Sequence, residues 1–322
     1  MLAVSCVRQS AADPLSGLEV GERPEPTLRP GWTAVRLKAA ALNHHDLWSL
    51  RGVGLPAERL PMILGCDGAG VDESGREVLV HAVVTSPDWS GEETLDPRRS
   101  LLSEVYDGTL AEVVAVPRRN LVPKPASLSW EQAACLPTAW LTAYRMLFTN
   151  AGVSPGATVL VQGAGGGVAT ALVQLGSAAG LRMWVTSRDA AKGAAALALG
   201  AEAAFGSGER LPERVDAVME TVGAATWSHS VNALRPGGTI VISGATSGDA
   251  PAKAELTKIF FKQLRVVGST MGSREELERL AAFVVGARIE PVIDSVRPLV
   301  QAREGFAAMA QGHVGGKIVF TL

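Results

Sequence analysis

Hydrophobic and polar positions follow one pattern before about residue 128 and another after it. In the first part, short β-like runs such as Thr33–Leu37, Glu77–Val84 and Glu112–Val116 are separated by prolines and glycines. This pattern predicts an irregular, mostly antiparallel sheet domain. The polar stretch Ser86–Ser103 contains two prolines and predicts a loop.

From about residue 128 to 271, continuous apolar runs alternate with alanine-rich segments. Ala169–Ala179 and Ala190–Leu199 predict crossover helices, and the apolar runs around them predict strands buried on both faces. This alternation indicates an α/β fold with a parallel, doubly wound sheet. The predicted strands are Thr158–Gln162, Met183–Thr186, Val215–Met219, Thr239–Ser243 and Leu264–Gly268.

After this alternation the chain predicts one helix and two further β-like segments. Ser273 followed by Glu276 is a capping pattern, which starts a helix that continues to about Gly286. The last β-like segment is Lys317–Thr321. Together the patterns predict two domains, one formed by residues 1–127 and 272–322 and the other by residues 128–271.

Composition narrows the class of protein. The 322 residues are 47% hydrophobic and 19% charged, which supplies enough apolar material for two buried cores. A formal charge of −2 and 5% aromatic residues give no basis for nucleic acid or a membrane surface as partner. Cys6, Cys66 and Cys135 form no C-x-x-C pair, which argues against a disulfide framework. Since neither a signal-peptide pattern nor an apolar run of roughly 18 residues is present, we expect a cytoplasmic protein.

The strongest local motif is a glycine cluster between a predicted strand and a predicted helix. Glycines there permit a tight turn and let backbone N–H groups approach a pyrophosphate at the helix N-terminus. The spacing fits a dinucleotide motif best if Ala164, Gly166 and Ala169 take its small-residue positions; a plain structural connection is the alternative. The predicted cofactor-binding residues of this turn are Gly163, Ala164, Gly165, Gly166, Gly167 and Val168.

The end of the second predicted strand discriminates between NAD and NADP. NAD sites carry an acidic residue about 20 positions after the motif, and here Ser187 stands in that region, followed by Arg188 and Lys192. A carboxylate would repel a 2′-phosphate, whereas a hydroxyl, a guanidinium and an ammonium bind one. We therefore predict NADP(H). The alternatives are that Asp189 is a displaced acidic residue for NAD, or that these are ordinary surface charges.

Several further motifs occur in a fixed order along the chain. They are Ala41–Asp46, Leu60–Val71, Asp107–Val113, Leu136–Tyr144, Val215–Gly223, Leu234–Gly238 and Gly316–Val319. With the glycine cluster, they make the chain resemble the medium-chain dehydrogenase/reductase superfamily over essentially its whole length, and most of all its zinc-independent quinone oxidoreductase branch. The resemblance implies a Rossmann domain, a GroES-like catalytic domain and a homodimer joined through the last strand of the Rossmann sheet.

The positions at which zinc-dependent members hold their metal differ here. Those members place a ligand cysteine where this chain has Asn43, a Gly-His-Glu where it has Gly65, Cys66 and Asp67, and a third ligand near Thr138. The closely spaced cysteines of a structural zinc site are also absent. We therefore predict no metal. The alternative is a rearranged site, formed from His44, His45, Cys66, Asp67 and His81.

Without a metal to polarise the substrate oxygen, hydride transfer needs an acceptor that is already electrophilic. We predict an enzyme that uses NADPH to reduce a small electrophilic molecule, either a quinone or the activated C=C bond of an enone or enal. The alternatives are an enoyl-thioester reductase, a zinc-free alcohol or aldehyde oxidoreductase, and a non-catalytic NADPH-binding sensor.

The resemblance also implies roles for individual residues. Asn43, His44 and Thr138 take catalytic positions, with Asn43 either donating its amide to a substrate oxygen or capping the following helix. The proton donor stays open among His44, His45, Tyr106 and solvent. The further cofactor-binding residues that the resemblance implies are Thr142, Gly244, Ala245, Thr246, Phe260, Phe261, Ser269, Met271 and Lys317.

Overall fold

The computed structural model describes all 322 residues, and they divide into two compact units. The first unit consists of Met1–Leu141 and Met271–Leu322, and the second of Thr142–Thr270. The first boundary thus falls after Leu141, whereas the sequence pattern placed it after residue 127. The reason is that the helical turns of residues 130–140 pack on the sheet of the first unit.

The first part of the chain consists of short strands and two short helices. The strands are β1 (Leu2–Cys6), β2 (Leu18–Glu22), β3 (Trp32–Ala41), β4 (Met62–Ile63), β5 (Asp67–Asp72), β6 (Glu77–Val80), β7 (Val83–Val84), β8 (Ser100–Leu101), β9 (Val113–Pro117) and β10 (Leu121–Pro123), and the helices are α1 (His44–Leu50) and α2 (Trp130–Ala134). The predicted run Glu77–Val84 is split into β6 and β7 because His81 and Ala82 bond to Asn120 and Leu102 instead. Ser86–Ser103 is mainly loop, as predicted, and includes only the two residues of β8 as strand.

The middle of the chain alternates between strands and helices. Its strands are β11 (Thr158–Gln162), β12 (Arg182–Ser187), β13 (Ala203–Gly206), β14 (Val215–Glu220), β15 (Leu234–Ile242) and β16 (Arg265–Gly268), and its helices are α3 (Leu141–Tyr144), α4 (Gly167–Ala178), α5 (Ala190–Ala198), α6 (Trp227–Ala233) and α7 (Leu256–Phe261). The six strands form one parallel sheet in the order β13-β12-β11-β14-β15-β16. This order confirms the predicted doubly wound fold. The sequence pattern missed β13, α6 and α7, which are short and lack a long apolar run.

The last part of the chain returns to the first unit. It forms α8 (Arg274–Gly286), β17 (Ile293–Pro298), α9 (Ala302–Ala310) and β18 (Lys317–Thr321). The predicted cap of α8 is present, since Glu276 N donates to Ser273 Oγ at 3.1 Å and Ser273 N donates to Glu276 Oε2 at 2.7 Å. Helix α9 was not predicted. It lies so close to β18 that a Cβ on Gly305 would stand 2.7 Å from the ring of Phe320.

Strand β3 is central to the main sheet of the first unit. That sheet has the order β10-β6-β5-β3-β18-β17, with β9 also paired to β3. Its pairs are antiparallel except for β17 with β18, which confirms the predicted mostly antiparallel domain. Ala41 lies opposite Asp67 on one side and opposite Val319 on the other. The residues that follow β3 therefore lie next to the start of β5 and the start of β18.

None of the helices combines the length and the apolar composition that crossing a membrane requires.

Candidate functional site

The glycine cluster of the second unit joins the end of β11 to α4. Gly163 has a φ of +96°, which residues with a Cβ rarely adopt, and Gly166 is the N-cap residue of α4. The first N–H groups of α4 have no helical partners, so they are available to an anion at the helix N-terminus. Lys192 of α5 packs on Gly165 in this turn. The turn therefore has the features that a pyrophosphate site needs.

A buried network of polar side chains lies below this turn. The amide of Gln162, the last residue of β11, accepts a hydrogen bond from Thr186 Oγ1 at 2.7 Å and donates to Ser230 Oγ and His229 Nδ1, each at 2.9 Å. Ser230 Oγ in turn donates to Glu220 Oε2 at 2.6 Å. This network was not predicted, although a polar residue stands at the end of each of the three apolar runs that contribute to it. Its closed hydrogen bonds hold the ends of β11, β12 and β14 together.

The end of β12 carries the residues that were predicted to recognise a 2′-phosphate. Ser187 Oγ bonds to the backbone of Asp189, and the Asp189 carboxylate accepts the N–H of Ala191 at 2.8 Å, which caps α5. Arg188 is exposed and makes no hydrogen bond or ion pair. Asp189 is therefore used as a helix cap, whereas the guanidinium of Arg188 is available to a ligand.

The other predicted cofactor residues of the second unit follow its strands. Gly244, Ala245 and Thr246 come after β15, where Thr246 N donates to Thr221 O at 3.3 Å. Ser269 follows β16, and its Oγ accepts a hydrogen bond from Asn150 Nδ2 at 2.9 Å. The remaining three are Thr142, which is buried, and Phe260 and Phe261, which are 61% and 75% exposed with ring centroids 4.6 Å apart. Since no ligand contact has been observed, their cofactor roles stay predictions.

In the first unit, a buried lysine joins the ends of three neighbouring strands. Lys317 Nζ donates to Asp67 Oδ2 at 2.7 Å, to Asn43 Oδ1 at 2.6 Å and to Leu42 O at 2.8 Å. Asn43 Nδ2 also donates to Asp67 Oδ2, at 2.8 Å. Lys317 and Asp67 are 2% and 0% exposed. Because the charges are buried together and bonded, each compensates the other for lost hydration.

Asp46 fixes the start of α1 beside this cluster. Its carboxylate accepts the N–H of Asn43 and the N–H of Gly65, each at 2.9 Å. Burial raises the pKa of Asp46, while the neighbouring His45 and Lys317 charges act in the opposite direction. Asn43 is therefore the N-cap residue of α1, which is one of the two roles expected for it from the sequence. Its side chain bonds to Lys317 and Asp67 and does not project toward a ligand.

His45 lies between a carboxylate and two polar side chains. Its Nε2 is 3.0 Å from Glu104 Oε1, and its Nδ1 is 3.5 Å from both Cys66 Sγ and Ser103 Oγ. Burial alone lowers the pKa of His45, but Cys66, Glu104 and Asp46 raise it, and the net pKa is well above 6.5. The site therefore favours the protonated imidazole more than water does. No local sequence pattern predicts this pairing with Glu104, which is 59 residues away.

The polar groups of the His44 and Thr138 side chains form no hydrogen bond within the protein. The His44 side chain is exposed, and the surrounding protein with the Lys317 and Arg51 charges lowers its pKa below 6.5. At neutral pH it is a neutral imidazole with one N–H to donate. Thr138 Oγ1 is buried without a hydrogen-bond partner, as is Asp67 Oδ1.

The rearranged metal site considered from the sequence does not form. No three His, Cys, Asp or Glu side chains converge as metal ligands anywhere in the chain. Asp67 is paired with Lys317, His81 Nε2 bonds to Gly272 O at 2.8 Å, and Cys66 Sγ donates to Leu102 O at 3.2 Å. At the zinc-ligand positions implied by the resemblance, Asn43 and Thr138 offer only a neutral amide and a hydroxyl beside the Cys66 thiol, so this donor set does not fit zinc.

Two predicted cofactor residues, Lys317 and Met271, lie within the first unit. All three N–H groups of Lys317 are used there, so a direct cofactor contact would require one of those bonds to break. The Met271 side chain is packed in a core cluster with Val35 and Leu37, so only its backbone is available to a ligand. Cofactor binding by Lys317 and by Met271 therefore stays a prediction.

Two family models match the chain. A zinc-binding dehydrogenase model matches residues 167–286, and an alcohol dehydrogenase GroES-like domain model matches residues 29–126. Among curated relatives, a zinc-type alcohol dehydrogenase-like protein of Schizosaccharomyces pombe is 31% identical over 92% of each chain. An acryloyl-coenzyme A reductase of Metallosphaera sedula is 29% identical over 95% of this chain and 96% of its own.

Solved structures resemble the whole chain. An NAD-dependent alcohol dehydrogenase is 35% identical, with a TM-score of 0.92 over 100% of both chains. A 2-octenoyl-CoA carboxylase reductase, solved with NADP and 2-octenoyl-CoA, is 26% identical, with a TM-score of 0.89 over 99% of this chain and 87% of that one. The relatives are thus oxidoreductases that differ in cofactor and in substrate.

Proposed function

This chain belongs to the medium-chain dehydrogenase/reductase superfamily, and from that premise we propose that it uses NADPH to reduce an activated carbon–carbon double bond or a quinone. The reaction adds hydride from the nicotinamide to the electrophilic carbon and a proton to the resulting anion. Electrons and protons balance with NADPH and solvent alone.

The choice of NADPH rests on the end of β12. An exposed, unpaired Arg188 and the ammonium of Lys192 suit a doubly charged 2′-phosphate, and Asp189 is already used as the cap of α5. The NADP found in the 2-octenoyl-CoA carboxylase reductase supports this choice. The similarity to an NAD-dependent alcohol dehydrogenase makes NADH the necessary comparison in any assay.

The choice of acceptor rests on the buried ion pair of the first unit, which is the observation that carries the proposal. With the Lys317 ammonium bonded to Asp67 and Asn43, those residues hold a cation already and do not fit zinc. An alcohol or simple carbonyl needs strong polarisation of its oxygen, whereas hydride addition to an enone, enal or quinone gives a delocalised anion. Fixed hydrogen-bond donors are sufficient to stabilise such an anion.

His44 has the properties of such a donor. Its pKa is lowered, so it is a neutral imidazole at neutral pH, and a neutral N–H can stabilise a developing oxyanion without giving up its proton. We assign it that role, and assign the unpartnered Thr138 Oγ1 to the polarity of the substrate site, whereas Asn43 holds the start of α1.

A second candidate acceptor is an enoyl thioester. The acryloyl-coenzyme A reductase relative and the structure with 2-octenoyl-CoA favour it. An enoyl thioester has the same conjugated carbonyl, so the residues assigned above would serve both substrates.

The experiment is NADPH oxidation, followed by absorbance, with 1,4-benzoquinone, an enone, an enal, acryloyl-CoA and crotonyl-CoA, and with NADH as the control. Turnover of at least one conjugated acceptor with a preference for NADPH is the expected result. Oxidation of simple alcohols at a higher kcat/KM than any reduction would contradict the proposal. Tight NADPH binding with no turnover of any acceptor would instead identify a cofactor-binding sensor.

A further inference from the structure

The order of strands in the first unit brings three side chains to one place. Asp67 is the first residue of β5, Lys317 is the first residue of β18, and Asn43 follows the end of β3, which lies between those two strands. The backbone bond from Leu42 N to Ile318 O, at 2.9 Å, extends the pairing to this end of the sheet.

The oxygen atoms around Lys317 Nζ satisfy all three of its N–H donors. A carboxylate, an amide oxygen and a backbone carbonyl accept its three hydrogen bonds at 2.6–2.8 Å. Carboxylate, amide and carbonyl oxygens are the ligands that hard cations take in proteins. The three contributing residues Lys317, Asp67 and Asn43 are all at least nine-tenths buried, so hydration cannot replace these contacts.

The Lys317 ammonium also stabilises the charge of a neighbouring carboxylate, that of Asp46. Asp46, buried on α1, carries a second carboxylate, and the Lys317 charge lowers its pKa. Asp46 and Asn43 together hold the first turn of α1, which carries His44 and His45. Removing the ammonium would leave the two buried side chains Asp67 and Asp46 without the cation that Asp67 is bonded to.

We infer that Asp67, Asn43 and the Leu42 carbonyl form a cation-binding site whose resident cation is the Lys317 ammonium. Lys317 bonds to Asn43, where the family resemblance implies a zinc ligand in metal-dependent members, and to Asp67, which follows another implied ligand position, so the polypeptide supplies its own cation beside these positions. Lys317 then acts as a positioning residue for Asn43 and for the start of α1. This inference concerns the occupant of the site and holds whichever substrate is reduced.

If this inference holds, a variant that lacks the Lys317 ammonium should bind a free alkylammonium ion at the same place. Lys317→Ala removes three methylene groups and the ammonium, which together correspond to propylammonium. A ligand that binds only the folded state raises its stability by linkage. We therefore expect propylammonium chloride to raise the melting temperature of Lys317→Ala saturably, by several degrees, and to leave the wild type unchanged.

The controls separate charge from packing and from ionic strength. 1-Propanol has nearly the same shape without the charge, and sodium chloride matches the ionic strength, so neither should reproduce the rise. Lys262→Ala is the matched variant, because Lys262 Nζ bonds only to carbonyl oxygens, those of Val231, Asn232 and Leu234. It should show no saturable response.

If Lys317→Ala does not fold, the pair is tested with isosteric changes. Lys317→Met and Asp67→Asn should each destabilise the protein strongly, and the double variant should recover most of the loss, because no buried charge is then left alone. Additive losses in this cycle would overturn the inference. So would equal rescue by 1-propanol, or stoichiometric zinc in the purified wild type. None of these measurements uses turnover, so they stand apart from a failure of the proposed activity.

Discussion

Lys192 lies across Gly165 in the glycine turn, so closely that a Cβ on Gly165 would stand 2.6 Å from Lys192 Cδ. Real Cβ atoms do not approach other carbons to that distance, so any other residue at 165 would push the lysine stem away. The glycine here thus has a second use besides a tight turn: it makes room for a cation that is expected to contact the cofactor.

The first prediction follows from this contact. Gly165→Ala should displace Lys192 and weaken NADPH binding about tenfold, which corresponds to ~1.4 kcal/mol. The dissociation constant is measured by NADPH fluorescence. Gly286→Ala is the control, because a Cβ there meets no atom within 4 Å. Unchanged affinity in Gly165→Ala would show that Lys192 does not contact the cofactor through this route.

The second prediction concerns cofactor preference. Replacing both Arg188 and Lys192 with alanine should remove charged hydrogen bonds worth roughly 1.5–3 kcal/mol each to a 2′-phosphate. Binding of NADPH should fall by at least tenfold more than binding of NADH, in parallel titrations of both cofactors. Arg210→Ala, another exposed arginine of the second unit, should change neither. Equal losses for the two cofactors would refute the 2′-phosphate assignment.

The third prediction is a pH dependence of stability due to His45. Its pKa in the folded protein lies well above 6.5, so the folded state binds this proton more tightly than the unfolded chain does. The resulting stability is fully present below pH 6.5 and is lost as the pH rises through the raised pKa. The free energy of unfolding of the wild type minus that of His45→Gln should therefore decrease above pH 6.5. Urea unfolding of both proteins across this range measures it, and a difference that is constant or grows with pH would contradict the assignment.

The fourth prediction is a homodimer formed through β16. This strand pairs only with β15, and Val266 on it is 44% exposed, so the edge is available to a second copy. We propose that the wild type is a dimer by light scattering and that Val266→Asp shifts it to a monomer. Val300→Asp changes an even more exposed valine of the first unit and should leave the dimer intact. A monomeric wild type would rule this proposal out.

Local patterns were sufficient where local physics decides the structure. The buried strands of the second unit, the cap of α8 and the glycine turn were all predicted, because apolar runs, a capping pair and positive φ act within a few residues. Elements such as β13 and α9 were missed, since tertiary packing rather than their own sequence stabilises them.

The sequence by itself determined the presence of two units, the family and the charges at the end of β12, because these depend on local patterns and on motifs that occur in a fixed order along the chain. Only the tertiary structure decided that Lys317 pairs with Asp67, 250 residues away, and that His45 pairs with Glu104. These pairs exist because strand order and loop packing bring distant residues together. A buried charge then requires a partner whose identity no local pattern reveals.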